Sequence, residues 1–246
     1  MVLPDRKDVV HKAWLYRLLT AICDDPMLIS VLFFKGGTCA SMRGLLDRFS
    51  IDLDFDYTGE TGALLTTHTR LEKIFSGLGL TIKNQSSLVP QYILKYTNSR
   101  SNERNTLKID VVMPPPLANK YEKIRIDEID RILTCQTTGT MFANKLVALV
   151  DRYEKSGGIA GRDLYDINHF FLNGYNIEYD VIKERRNVEF VKQYLEELIE
   201  FINIHITQTV IDQDLNVLLP PAVFKRIRKS LKAETILLLR DEIDRH

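Results

Sequence analysis

The chain has 246 residues, and its 33 lysines and arginines balance 33 aspartates and glutamates, so the formal net charge is zero. That balance speaks against a general nucleic-acid coating protein, which gains affinity by neutralising many phosphates and needs a basic excess. With 45% hydrophobic and 27% charged residues the chain reads as globular, long enough for one large or two modest domains.

In chain order, the first half reads as mixed α/β. Helical spacing over 9–21 sets Trp14, Leu15, Leu18 and Leu19 in one apolar stripe. The apolar run 31–34, cut by Gly36 and Gly37, predicts a strand entering a tight turn, and Thr38 is placed to cap a helix through about 46. Residues 51–57 alternate Ile, Asp, Leu, Asp, Phe, Asp, Tyr, the period of a half-buried strand. A helix is predicted over 62–78. Strands are predicted over 92–96 and 107–112, the second stopped by Pro114, Pro115 and Pro116. After Thr138 the texture turns helical: 140–153, 162–172, 189–206 and 233–245, with a glycine-containing loop over 154–161 and a break at Pro220 and Pro221. A boundary is therefore expected near 130–138, between an α/β half and a helical half.

The apolar runs 27–34 and 236–239 end at Lys35 and Arg240, far short of the ~20 residues that cross a bilayer. Pro4, Asp5, Arg6, Lys7 and Asp8 do not open a signal peptide. Cys23, Cys39 and Cys135 make neither a disulfide framework nor a zinc pattern, so a reducing, cytoplasmic setting and no membrane contact are expected. His11, His68, His169, His205 and His246 form no ligand pair at helical spacing.

The informative stretch is Lys35-Gly36-Gly37-Thr38 followed by Arg48-Phe49-Ser50-Ile51-Asp52-Leu53-Asp54-Phe55-Asp56. On a strand, Asp52, Asp54 and Asp56 project together while Leu53, Phe55 and Tyr57 face a core. Three like charges on one face repel and call for a cation among them. Mg²⁺, typically held by one or two carboxylates plus substrate phosphates, answers that need. Gly36 and Gly37 let backbone N–H groups approach a ligand, and a helix start at Thr38 favours phosphate. Lys108-Ile109-Asp110-Val111-Val112 carries one acid in apolar surroundings. Beside the Asp52/Asp54 strand, Asp110 completes a triad for two metals; otherwise it is an exposed strand residue.

These segments resemble the DNA polymerase β-like nucleotidyltransferase superfamily and, more narrowly, the AbiEii/AbiGii family, the toxin half of type IV toxin–antitoxin systems. Asn144-Lys145-Leu146-Val147-Ala148-Leu149 and Arg162-Asp163-Leu164-Tyr165-Asp166-Ile167 are similar to that family's helical lysine and R-D-x-x-D-[LI] segment. The resemblance spans about 31–172. It departs at Ile51, where a polar residue is common, and at Cys39-Ala40 after the turn.

The resemblance implies an α/β (α+β) fold: a polymerase β-like core with a mixed sheet over 1–135, then a helical bundle over 136–246 that contributes Lys145 and Asp166 to the active-site cleft. It implies that Asp52, Asp54 and Asp110 bind Mg²⁺, two ions in all, with Asp110 also a candidate general base. Gly36, Gly37 and Thr38 would hold the triphosphate of an NTP. Lys145 would meet nucleotide phosphates, and Asp166 rather than Asp163 would complete the site. Arg48 would meet phosphate or hold the strand in place. The implied reaction is nucleotide transfer to an acceptor, the 3′ end of tRNA, which blocks aminoacylation and so translation. A cognate antitoxin, a small DNA-binding protein, is the implied partner. A protein hydroxyl or a small molecule such as an aminoglycoside is the alternative acceptor, and a binding module that keeps the fold without catalysis is the alternative class. The oligomeric state is open, and a monomer is one expectation.

Other features have blander readings beside the functional ones. Tyr57, Tyr92 and Tyr96 could stack a base, yet strand aromatics are usually core. Asp163 and Asp166 also suit a helix start. Lys145 and Arg152, seven apart, share a helix face that could be either cationic edge or solvated surface. His169 reads as packed or exposed. The basic run Lys225, Arg226, Arg228, Lys229 and Lys232 could touch an RNA backbone or face solvent.

Overall fold

The computed structural model describes residue 1, residues 5–97 and residues 104–245; Pro4 and His246 lie outside that set. The chain forms two compact units, one of Met1–Pro115 and Tyr121–Gln136, the other of Pro116–Lys120 and Thr137–His246.

In the first unit, α1 (Val9–Cys23) is followed by α2 (Pro26–Val31), β1 (Leu32–Lys35), α3 (Gly36–Met42), β2 (Asp52–Tyr57), α4 (Leu64–Leu78), β3 (Thr81–Gln85), β4 (Tyr92–Lys95), β5 (Thr106–Val112), β6 (Tyr121–Ile126) and β7 (Arg131–Gln136). The seven strands form one mixed sheet in the order β3-β4-β5-β2-β1-β7-β6. The central pairs are antiparallel β1–β2 and parallel β2–β5. Alternation builds the core directly. Leu53, Phe55, Tyr57, Leu107, Ile109, Val111, Tyr92 and Leu94 are buried, and α1 packs against β2, β5, β7 and α4.

Several boundaries differ from the sequence reading, for local reasons. Asp25 accepts from the Met27 and Leu28 amides and Pro26 takes the first helical position, so the apolar run starts as α2 and the strand begins only at Leu32. The helix after the glycine turn starts at Gly36, two residues before Thr38, and ends at Met42. Thr38 is therefore inside the helix and not its cap. Strands β3 and β6 escape a hydrophobic-period reading. Both lie at sheet edges, and β3 is exposed throughout.

The second unit is helical: α5 (Thr138–Ser156), α6 (Gly161–Leu172), α7 (Tyr179–Arg186), α8 (Val191–His205), α9 (Gln208–Leu215), α10 (Pro221–Ile227) and α11 (Leu231–Asp244). Helix α5 packs on α6, α7 and α8, while α11 packs on α6 and α8. Thr137 caps α5 by accepting from the Thr140 amide, and left-handed Gly157 ends it. Helices α7, α9 and α10 are only seven or eight residues each, too short for a clear periodic signal. No helix among the described residues is long and apolar enough to cross a membrane.

Candidate active site

The site begins with register. Asp54 on β2 is the parallel partner of Asp110 on β5, and Asp52 is the partner of Lys108. Neighbouring strands lie ~4.8 Å apart and partners share a face, so Asp52, Asp54, Lys108 and Asp110 occupy one patch of the sheet. Lys35 on β1 is the antiparallel partner of Asp54 from the other side.

The third acid of the strand behaves differently. Asp56 shares the face but is fully buried. It accepts from Lys35 Nζ at 2.6 Å, Tyr121 Oη at 2.9 Å and Gln136 Nε2 at 2.6 Å. It ties together β1, β2, β6 and β7 and is a structural anchor. Alternation along a strand reports the face and not the depth, so the sequence grouped Asp56 with the other two.

The glycine turn sits against Asp54. Gly36 has φ +76°, and a Cβ there would lie 2.2 Å from Asp54 Oδ2. Only glycine satisfies both the left-handed backbone and the close approach. A Cβ on Gly37 would lie 2.8 Å from both Arg48 Nη2 and Ser50 Oγ. Arg48 is buried and donates to the Phe49 carbonyl at 2.9 Å. Of the two roles implied for it, its position serves the holding of this segment. Thr38 is buried too, and its hydroxyl donates to the Asp52 carbonyl. That bond fixes the start of the acidic strand to α3 through a side chain that the sequence reading aimed at phosphate.

Asp110 accepts from Lys108 Nζ at 2.6 Å and from Gln91 Nε2 at 2.8 Å, one on each carboxylate oxygen. Partial burial pulls the Lys108 ammonium down, but the bond to Asp110 and the charges of Asp110, Asp52 and Asp54 outweigh it, raising its pKa above the ordinary lysine value. Neither Lys108 nor Gln91 stood out in the sequence. The spacing Lys108-x-Asp110 on one strand face was the available signal for the first.

Among the described residues no three His, Cys, Asp or Glu already converge as a metal cage. Mg²⁺ does not require one, since it takes one or two carboxylates and completes its shell with phosphates and water. The all-oxygen donor set of Asp52, Asp54 and Asp110 fits that chemistry.

In the second unit, Lys145 Nζ lies 3.2 Å from Asp163 Oδ1 and 2.8 Å from Asp166 Oδ2, and Arg152 Nη2 lies 3.1 Å from Asp163 Oδ2. Both carboxylates are buried. Burial pushes the Asp163 carboxyl up, but Lys145 and Arg152 overcome that and hold it below the usual range. Asp163 and Asp166 thus both pair with Lys145. Neither is simply a helix-start residue.

A family model for the nucleotidyl transferase AbiEii toxin of type IV toxin–antitoxin systems matches residues 17–235. The chain belongs to the AbiEii family. It is accordingly a nucleotidyltransferase and carries the toxin-family signature over most of its length. Two solved structures share the fold. One is a Helicobacter pylori protein assigned as a nucleotidyltransferase, 17% identical, TM-score 0.60, covering 98% of each chain. The other is JHP933 from Helicobacter pylori, 18% identical, TM-score 0.54, covering 98% of this chain and 94% of that one. No curated protein matches in sequence.

Within this AbiEii-family chain, several of the remaining residues serve packing, while Lys225, Arg226 and Lys229 are exposed. Tyr57, Tyr92 and Tyr96 are core. His169 is half-buried beside the Tyr165 ring. Arg228 pairs with Asp212 at its guanidinium, and Lys232 donates to the Asn203 and Ile206 carbonyls at the end of α8. The three cysteines are free and buried.

Proposed function

We propose that this nucleotidyltransferase is a metal-dependent toxin that moves a nucleotide from an NTP to the 3′ end of tRNA and so blocks translation. The observation that carries the reading is the in-register pair Asp54–Asp110, with Asp52 on the same face. Such a pair gives a triphosphate an oxygen-lined metal seat beside a glycine turn.

In this reading Asp52, Asp54 and Asp110 would hold Mg²⁺, which would supply positive charge to offset that of the triphosphate. Asp54 is set by its contact with Gly36, and Asp110 by Gln91. Asp110 accepts the proton of the attacking hydroxyl. The Gly36 and Gly37 amides receive phosphate oxygens. Within the helical unit, Asp163 and Asp166 fix the Lys145 ammonium. The acceptor oxygen attacks the α-phosphorus, the bond to the bridging oxygen breaks, and pyrophosphate leaves. Orientation and charge neutralisation provide most of the acceleration. A cognate antitoxin encoded alongside would restrain the activity.

The test incubates the full chain with each α-labelled NTP, Mg²⁺ and total tRNA, with parallel reactions on total protein and an aminoglycoside. Label is expected on tRNA, lost on chelation and in Asp54→Ala. Label on protein or aminoglycoside alone overturns the acceptor. Undiminished transfer after chelation overturns the metal.

A further inference from the structure

We propose that Lys108 is a resident counter-cation of the acidic face which competes with the divalent metal and then partners the triphosphate, coupling the two binding events. The inference rests on the metal-dependent reading above and assigns a positioning residue to it.

Along β5, Leu107, Ile109 and Val111 are buried, while Lys108, Asp110 and Val112 alternate on the more open face. Lys108 is the register partner of Asp52 on one side and of Ile93 on the other. Its ammonium is 2.6 Å from Asp110 Oδ2, and one strand away stand Asp52 and Asp54. One positive charge thus sits among three carboxylates.

The pair is not a structural clamp. The side chains of Lys108 and Asp110 are 47% and 36% exposed, and ion pairs with that much water contribute little to stability. Nor does Asp110 depend on Lys108 for orientation. Gln91 Nε2 donates both to Asp110 Oδ1 and to the Val111 carbonyl, each at 2.8 Å, and so holds the carboxylate from its other side. What Lys108 adds is charge at the place where a metal would use Asp110.

Two consequences follow from that charge. A divalent ion must displace the ammonium from Asp110 and bind against its repulsion, so Lys108 weakens metal binding. A triphosphate offers the displaced ammonium a new anionic partner within reach of its flexible stem, so Lys108 strengthens nucleotide binding. Metal and nucleotide are then linked reciprocally through one side chain that changes partner. A lysine held only for folding would instead weaken both ligands together when removed.

The experiment titrates the full chain with Mn²⁺ alone, counting free ion by electron paramagnetic resonance, and separately with α,β-methylene-ATP at saturating Mn²⁺. Wild type, Lys108→Met, Lys108→Gln and Asp54→Asn are compared, with urea midpoints confirming the fold. Lys108→Met is expected to bind Mn²⁺ about thirtyfold tighter, the effect of a unit charge on a divalent ion at ~4 Å in a water-like dielectric, and the nucleotide analogue severalfold more weakly. Lys108→Gln should follow it in both. Mn²⁺ affinity that is unchanged or weaker in both lysine variants overturns the proposal, as does unchanged nucleotide affinity. Mn²⁺ binding that is the same in wild type and Asp54→Asn sinks the metal-dependent reading itself. Asp54-dependent binding that ignores Lys108 sinks only the present inference.

Discussion

Asp54 and Asp110 are direct partners on neighbouring parallel strands, although 56 positions separate them in the chain. The parallel pairing of β2 with β5 brings them together across an intervening helix and two strands. Two carboxylates at that spacing destabilise each other unless a cation lies between or beside them. Lys108 fills that need on the Asp110 side and Lys35, the other neighbour of Asp54, flanks the face from β1.

Asp54→Asn and Asp110→Asn should each lower nucleotide transfer by about 10²-fold or more, in the range seen when one charge-stabilising group is lost. The double variant should be scarcely worse than either single, because residues acting as one unit are non-additive. Initial rates with labelled NTP, alongside circular dichroism, decide the matter. Additive losses would mean that the two acids serve separate steps.

Gly36→Ala and Gly44→Ala form a matched pair. Both glycines are left-handed, at φ +76° and +74°, but a Cβ on Gly44 meets nothing within 4 Å whereas one on Gly36 meets Asp54 Oδ2 at 2.2 Å. Each substitution should cost about 1–2 kcal/mol of backbone strain. Only Gly36→Ala should also abolish transfer, since Asp54 must move. Urea unfolding and rate measurements on the two variants separate strain from contact. Equal activity in both would show that Asp54 tolerates displacement.

The strand 51–57 and the acid of 107–112 were legible because period-two alternation is strong there and both strands are central. Their mutual pairing was not, since register between strands distant in sequence is set by tertiary packing. Burial depth was equally hidden. Asp52, Asp54 and Asp56 look alike in the chain, yet Asp56 alone is sealed by Tyr121, Gln136 and Lys35. Thr38 and Arg48 carry the residue types of a phosphate site, but both turn inward onto backbone carbonyls. Edge strands β3 and β6 carry too few buried side chains to announce themselves.

Lys145→Met should destabilise the chain by about 3–5 kcal/mol, the usual cost of removing one partner from a buried ion network. It would leave Asp166 and Asp163, 0% and 1% exposed, with less compensation. Asp166→Asn in the same chain should recover part of that loss. Denaturant unfolding of the single and double variants measures both. The comparison also bears on catalysis, because lost activity in Lys145→Met alone does not separate a phosphate contact from a disturbed α5–α6 packing. Lost activity in a double variant of near-normal stability would assign the loss to the ammonium. A single-variant cost below about 1 kcal/mol would show that these acids do not depend on the Lys145 ammonium.

His11 makes stability depend on pH in a defined window. Its Nε2 donates to the Ile51 carbonyl at 2.9 Å, one residue before β2, and Nδ1 lies 3.2 Å from the Tyr96 hydroxyl. Burial lowers its pKa from 6.5 to about 4, against the Ile51 bond that raises it. The unfolded chain therefore takes up the proton at a higher pH than the folded chain. The stabilising contribution is fully present above ~6.5, falls as the pH drops toward 4 and is exhausted below that. Between pH 7 and pH 5 the loss from this group is about 2 kcal/mol. His11→Gln, which keeps a donor for Ile51, should remove that slope while lowering stability at pH 7. Urea unfolding free energies at both pH values test it. A slope that persists in His11→Gln would place the proton uptake on another group.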